Sequence, residues 1–107
     1  MRLLFFPFLS FRRSSLDGLL AGKTVLITGS SFGIGECLSE LLAESKPHLL
    51  LVARTEEKLM EIKRRVEAKG GTADVFACDL THEEQRDALI EKLLQLPQGI
   101  DIVVNNA

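Results

Sequence analysis

Thr24-Val25-Leu26-Ile27-Thr28-Gly29-Ser30-Ser31-Phe32-Gly33-Ile34-Gly35 is the stretch whose reading decides the fold. Its first five residues form a short β-branched run, suited to a strand buried on both faces. Three glycines follow within seven residues, and a helical pattern opens behind them. Gly29 permits a sharp turn, Gly33 lets backbone approach a diphosphate closely, and Gly35 lets the helix pack against the strand. Free amides at the helix start, including that of Ile34, combine with the helix dipole to favour negative charge there. Gly29, Ser30, Ser31, Phe32, Gly33, Ile34 and Gly35 are therefore candidate phosphate-side residues. A glycine cluster alone can serve sterics, but between a strand and a helix it reads as an anion cradle. A nucleotide-triphosphate P-loop fits less well, because no Lys-Ser or Lys-Thr pair closes the motif.

Outward from this turn the pattern alternates regularly. Ile34, Cys37, Leu38, Leu41 and Leu42 recur at helical spacing and should share one face. Pro47 stops that helix. His48–Ala53 reads as a second buried strand. A helix over about 56–69 turns Leu59, Ile62 and Val66 inward and stops at Gly70-Gly71. Ala73–Cys78 reads as the third strand. Thr81-His82-Glu83-Glu84 has the form of a capping box, opening a helix that buries Leu89, Ile90, Leu93 and Leu94. Pro97–Gly99 closes it, and Ile100–Asn105 is the fourth strand. Strands alternating with helical connectors imply an α/β fold with a parallel sheet. Right-handed crossovers then give a Rossmann-type, doubly wound sheet of order 3-2-1-4, ending after the fourth strand. The first two helices share one face, and only the third covers the other. Ile102-Val103-Val104 is left as an open edge, so the chain alone is expected to be marginal or to aggregate.

Bulk properties narrow the function classes. The 107 residues suffice for one small domain but fall below the usual size of a cofactor-plus-substrate enzyme. A net charge of -2, with 26% charged residues, gives no reason to expect nucleic acid. Cys37 and Cys78 lack metal-ligand spacing and read as buried thiols in a reducing compartment, and no metal site is expected. His48 and His82 lack partner spacing and read as structural or solvent-facing.

Residues 1–21 differ from the rest. Arg2–Arg13 reads RLLFFPFLSFRR, and no acidic residue precedes Asp17. The apolar part is too short to span a bilayer and lacks a small-residue cleavage site. It reads as a loosely packed leader, a peripheral membrane contact through residues 2–13, or an organellar targeting segment. The cofactor-type domain begins at residue 22 and runs to 107, and a cytoplasmic location is expected.

TGSSFGIG resembles the TGxxxGIG signature of the short-chain dehydrogenase/reductase family. Two more matches fall where that family has them: Cys78-Asp79-Leu80-Thr81 after the third strand, and Asn105-Asn106-Ala107 after the fourth, like the start of NNAG. The resemblance covers about residues 22–107. It implies a nicotinamide dinucleotide partner, with Asp79 accepting from the adenine amino group, the Leu80 backbone beside it, and Asn106 on the cofactor side. It also implies hydride transfer between the nicotinamide and a small-molecule carbonyl or alcohol. The family's acid/base Tyr of Tyr-x-x-x-Lys, with its Ser and further Asn, belongs downstream of NNAG. The sequence contains no Tyr, so this chain alone is expected to be inactive and no catalytic residue is assigned.

Cofactor preference is read at the end of the second strand. An acidic side chain there bonds the ribose 2′-hydroxyl of NAD, whereas Arg accommodates the 2′-phosphate of NADP. This sequence places Arg54 there, followed by the hydroxyl of Thr55. NADP is therefore favoured over NAD, with Lys58 offsetting Glu56 and Glu57. Three functional readings stand: the front part of an NADP-dependent oxidoreductase, a noncatalytic nucleotide-binding module, and a scaffold piece completed by another chain.

Overall fold

The computed structural model describes residues 2–4, 18–30 and 33–106. The elements are β1 (Arg2–Leu4), β2 (Thr24–Thr28), α1 (Gly33–Ala43), β3 (His48–Ala53), α2 (Glu56–Ala68), β4 (Thr72–Ala77), α3 (Glu83–Leu94) and β5 (Ile102–Asn105). The sheet is parallel throughout, with order β1-β5-β2-β3-β4. Its four strands from β2 onward have the expected 3-2-1-4 order. Val25 lies opposite Leu49 on one side and Ile102 on the other, and His48 lies opposite Thr72.

One feature of the sheet corrects the sequence reading. β5 is not an open edge: Arg2, Leu3 and Leu4 pair with Ile102, Val103 and Val104. A strand therefore stands within the stretch read as leader. The other readings of that segment, including membrane contact, fall mainly on residues 5–17, outside the described residues.

The central strands are apolar because both of their faces are covered. Val25, Ile27, Leu49 and Leu51 point toward α1 and α2, meeting Leu38, Leu42, Leu59, Ile62 and Val66. Leu26, Leu50 and Val52 point the other way, toward Leu89 and Leu93 of α3. Removing such side chains from water is the main drive for this arrangement, at roughly 25 cal/mol per Å². Arg65 on α2 ties the two helices of the first face together. Its guanidinium donates to Glu36 (2.7 Å) and Glu40 (3.0 Å) of α1, and to Glu61 of its own helix. The Arg65 hydrogen bond holds the Glu36 carboxyl below the usual carboxylate range.

Several buried faces differ from expectation. On α1 the buried stripe is Gly35, Leu38, Ser39, Leu42 and Ala43, one residue on from the stripe read from the sequence. Cys37 and Leu41 are exposed. The cause is Gly35, which presses against the glycine turn and so sets the helix rotation. On α3, Leu89 and Leu93 are buried, but Ile90 is 47% and Leu94 81% exposed. Among the described residues, no second helix lies on that face to cover a wider stripe. The capping box does not form either. His82 is the N-cap of α3 without a side-chain capping bond, and the Thr81 hydroxyl goes to Asp79 instead. An ionised carboxylate is a stronger acceptor for that hydroxyl than the alternatives nearby.

His82 is exposed, and His48 has partners that its spacing in the sequence conceals. Its ring nitrogens meet Thr72 Oγ1 (2.7 Å) and Asp74 Oδ2 (3.0 Å) across the β3–β4 register. Cys78 is buried, which pushes its thiol pKa up.

Candidate functional site

The carboxyl ends of β2, β3, β4 and β5 lie side by side along one rim of the sheet. In an open parallel sheet, ligands bind outside these ends where the strand order reverses. Here the reversal falls between β2 and β5, and the glycine turn leaves β2 at that point.

Gly29 begins the turn with φ +67°, the left-handed region that side chains disfavour. The Ser30 N–H (3.2 Å) and hydroxyl (3.3 Å) both donate to the Val52 carbonyl, pinning the turn to the end of β3. Ser30 is fully buried, so its hydroxyl is spent within the protein and is unavailable to a ligand. Ser31 and Phe32 lie outside the described residues. At Gly33, where α1 starts, a Cβ would meet no atom of the other described residues within 4 Å. Gly35 is the opposite case. A Cβ there would lie 2.3 Å from the Gly29 carbonyl oxygen, 2.8 Å from Ser30 Cα and 2.9 Å from Asn106 Nδ2. The absence of a side chain thus brings the first turn of α1 against the strand end. Its free backbone amides, that of Ile34 included, stand at the rim.

Asn106 fastens this assembly to β5. Its Nδ2 donates to the Gly29 carbonyl (3.5 Å), and its backbone N–H donates to the Thr28 hydroxyl (3.1 Å). The Thr28 hydroxyl in turn donates to Asn105 Oδ1 (3.1 Å). Asn106 is therefore placed to hold the shape of the glycine turn. Its Oδ1 and the second Nδ2 hydrogen are not used in these bonds.

Arg54 and Thr55 follow β3. Both are exposed, and among the described residues the Arg54 guanidinium has no hydrogen bond or ion pair. Thr55 is the N-cap of α2, yet its hydroxyl makes no capping bond. Lys58 does not stand beside them as a second cation for a ligand; it turns to Glu36 (3.5 Å) and Glu61 (3.8 Å).

Asp79 follows β4. One oxygen, Oδ1, accepts from both the Thr81 hydroxyl (2.6 Å) and the Thr81 N–H (3.0 Å), leaving Oδ2 available. Those two bonds hold the Asp79 carboxyl below the usual carboxylate range, and the charge of Arg54 adds to the effect. Asp79 and Arg54 are thus electrostatic neighbours across the ends of β4 and β3. Leu80 is half-buried and packs toward the α3 face. The Gln85 side chain, which the sequence reading did not select, accepts from the Asp79 N–H (2.9 Å). Its signal was its place in the first turn of α3, six residues on.

The rim therefore offers amide donors at β2, an exposed cation at β3 and an ionised acceptor at β4. These donors and acceptors are of the kinds a dinucleotide needs. Among the described residues no cluster of His, Cys, Asp or Glu could hold a metal, and no helix is long and apolar enough to cross a membrane.

The chain belongs to the short chain dehydrogenase family, whose model matches residues 23–107. A fatty acyl-CoA reductase of Acinetobacter baylyi is 43% identical over 86 residues, which are 80% of this chain and 29% of that enzyme. A metagenomic short-chain oxidoreductase solved with NADP superposes with TM-score 0.76 at 36% identity, over 82% of this chain and 40% of that one. An NAD+-bound xylitol dehydrogenase superposes with TM-score 0.75 at 31% identity, over 82% and 34% respectively. The chain thus spans less than half the length of each of these relatives.

Proposed function

We propose that these residues are the dinucleotide-holding part of an NADP-dependent oxidoreductase, one that moves hydride between nicotinamide and a carbonyl or alcohol carbon. The observation that carries the choice of NADP is Arg54, an exposed guanidinium at the end of β3 with no hydrogen bond or ion pair among the described residues. A planar fork there pairs with a 2′-phosphate and stacks on adenine, whereas an NAD site places a carboxylate at this point. In this reading, amides of the Gly29–Gly35 turn hold the diphosphate. Thr55 adds its hydroxyl near Arg54. Asp79 Oδ2 accepts from the adenine amino group beside the Leu80 backbone, and Asn106 keeps the turn in shape. The bound dinucleotide supplies the hydride chemistry. Relatives that carry NADP and NAD both superpose well, so the preference rests on Arg54 rather than on likeness.

A second reading is favoured by one specific fact: no Tyr occurs among the 107 residues. The family's proton donor is therefore missing, and this chain by itself binds a dinucleotide without turning it over. The 43% likeness to a fatty acyl-CoA reductase favours a lipid-type carbonyl as the substrate class of a catalytically complete form.

Calorimetric titration of the purified chain with NADPH and NADH, repeated on Arg54→Ala, tests the cofactor assignment. The native chain should prefer NADPH, and the variant should lose roughly 10- to 100-fold in NADPH affinity while NADH affinity barely moves. An unchanged ratio in the variant would remove Arg54 from its role.

A further inference from the structure

Asp79 is bonded at every polar group but one. Its carbonyl accepts from the His82 N–H (3.0 Å), its Oδ1 from the Thr81 hydroxyl (2.6 Å) and N–H (3.0 Å), and its own N–H donates to Gln85 Oε1 (2.9 Å). Among the described residues, Oδ2 has no hydrogen bond. The bonds to Thr81 and His82 are internal to the turn and fix the carboxylate against its own loop. The bond to Gln85 differs in kind, because it ties that loop to α3, a helix packed on the sheet through Leu89 and Leu93. Gln85 is the third residue of α3, whose N-cap is His82. A Gln at that position ordinarily reaches back to the N–H of the N-cap residue. Here that donor is already given to the Asp79 carbonyl, so the Gln85 amide reaches past it to the Asp79 N–H. A neutral acceptor suits the place, since a second carboxylate beside Asp79 would oppose its ionisation.

We infer, on the dinucleotide reading proposed above, that Gln85 is a positioning residue: through the Asp79 N–H it aims Oδ2 at an exocyclic amino group and so selects an amino-bearing base. An amino group donates to an ionised oxygen, whereas an oxo group at the same place presents only lone pairs to it. Such discrimination depends on aim, because hydrogen bonds weaken steeply as their angle closes. Without Gln85 the turn keeps its internal bonds but loses this tie to α3, and the carboxylate shifts with the loop.

Calorimetric titration with NADP+ and with its hypoxanthine analogue, in which oxygen replaces the adenine amino group, tests this on the native chain, Gln85→Met and Asp79→Ala. Met keeps the length of the side chain and removes the acceptor. A hydrogen bond to a charged group corresponds to about tenfold or more, so the native chain should prefer NADP+ by at least that ratio and Asp79→Ala should abolish the preference. Gln85→Met should lower the ratio by about three- to tenfold, through weaker NADP+ binding with the analogue's affinity unchanged. An unchanged ratio in Gln85→Met, beside a lost ratio in Asp79→Ala, would overturn the role of Gln85 and leave the base reading standing. Equal weakening of both dinucleotides in Gln85→Met would also overturn it, since a merely structural role loosens both. A native chain without preference, or an Asp79→Ala chain that keeps it, would remove the base reading and the role of Gln85 together. Should a variant fail to fold, amide exchange in the native chain decides: the Asp79 N–H should be protected, and one that exchanges as freely as an unstructured amide would overturn the tie.

Discussion

Replacing Gly35 with Ala probes the contact that sets the whole rim. The added Cβ would lie 2.3 Å from the Gly29 carbonyl oxygen and 2.8 Å from Ser30 Cα, both backbone atoms that cannot rotate away. Overpacking of this kind costs about 1–3 kcal/mol, and contact with fixed backbone belongs at the top of that range. Ala is a better helix former than Gly by about 1 kcal/mol, which offsets part of it. The net expectation is a loss of about 2 kcal/mol. With a urea dependence near 1.5 kcal/mol per molar, the unfolding midpoint should fall by about 1–1.5 M. Far-UV circular dichroism is the suitable probe, because the chain has neither Trp nor Tyr. Gly33→Ala is the comparison, since among the described residues a Cβ there meets no other atom within 4 Å and the φ of +54° opposes it. That backbone conformation costs roughly 1–2 kcal/mol, so the two variants destabilise for different reasons. The distinction appears in ligand binding. Gly35→Ala moves α1 away from the turn, whereas Gly33→Ala puts a methyl into otherwise open space. A Gly35→Ala protein as stable as the native one would refute the reasoning about close packing.

Other expectations follow from the helix and thiol geometry. The Glu36 carboxyl is held below its ordinary range by Arg65, so its contribution to stability is present above the unfolded-state pKa. That contribution is lost as pH falls through the lower folded-state value. Arg65→Ala should therefore flatten the acid limb of urea midpoint against pH below about pH 5, and an unchanged limb would count against the ion-pair cluster. Cys37 is exposed and Cys78 buried with a raised thiol pKa, so a thiol reagent should modify one cysteine in the native state and both in urea. Two fast-reacting thiols in the native state would contradict the packing of α3 against the sheet.

Much of this molecule is legible in its sequence because period and punctuation agree. The apolar runs at 24–28 and 48–53, separated by a helix with a glycine start and a proline stop, leave little choice but parallel strands. Arg54 stands out in the sequence as the first residue past the apolar second strand, and Asp79 through the resemblance of Cys78-Asp79-Leu80-Thr81 to a family segment; both follow strand ends in the structure. The α1 face was misread by one residue because Gly35, Ser39 and Ala43 bury no large side chain, and periodicity counts large ones. A small residue in a tight approach carries burial without hydrophobic signal. The capping pattern at Thr81 failed because the competing acceptor, Asp79, lies two residues earlier and is ionised. The pairing of Arg2–Leu4 with β5 was invisible, since three residues inside a Leu- and Phe-rich run show no period. The bond from the Ser30 hydroxyl to the Val52 carbonyl is likewise not legible, since Val52 lies 22 residues on.

Recording amide shifts of the isotope-labelled chain during titration with NADP+ most directly tests the claim that the β2–α1 turn cradles a diphosphate. The account predicts saturable shifts that are largest at Gly29, Ile34 and Gly35, with the Arg54 side chain moving at the same ligand concentrations. Turn amides that stay in place while shifts gather elsewhere, or a spectrum unaltered at millimolar NADP+, would contradict it.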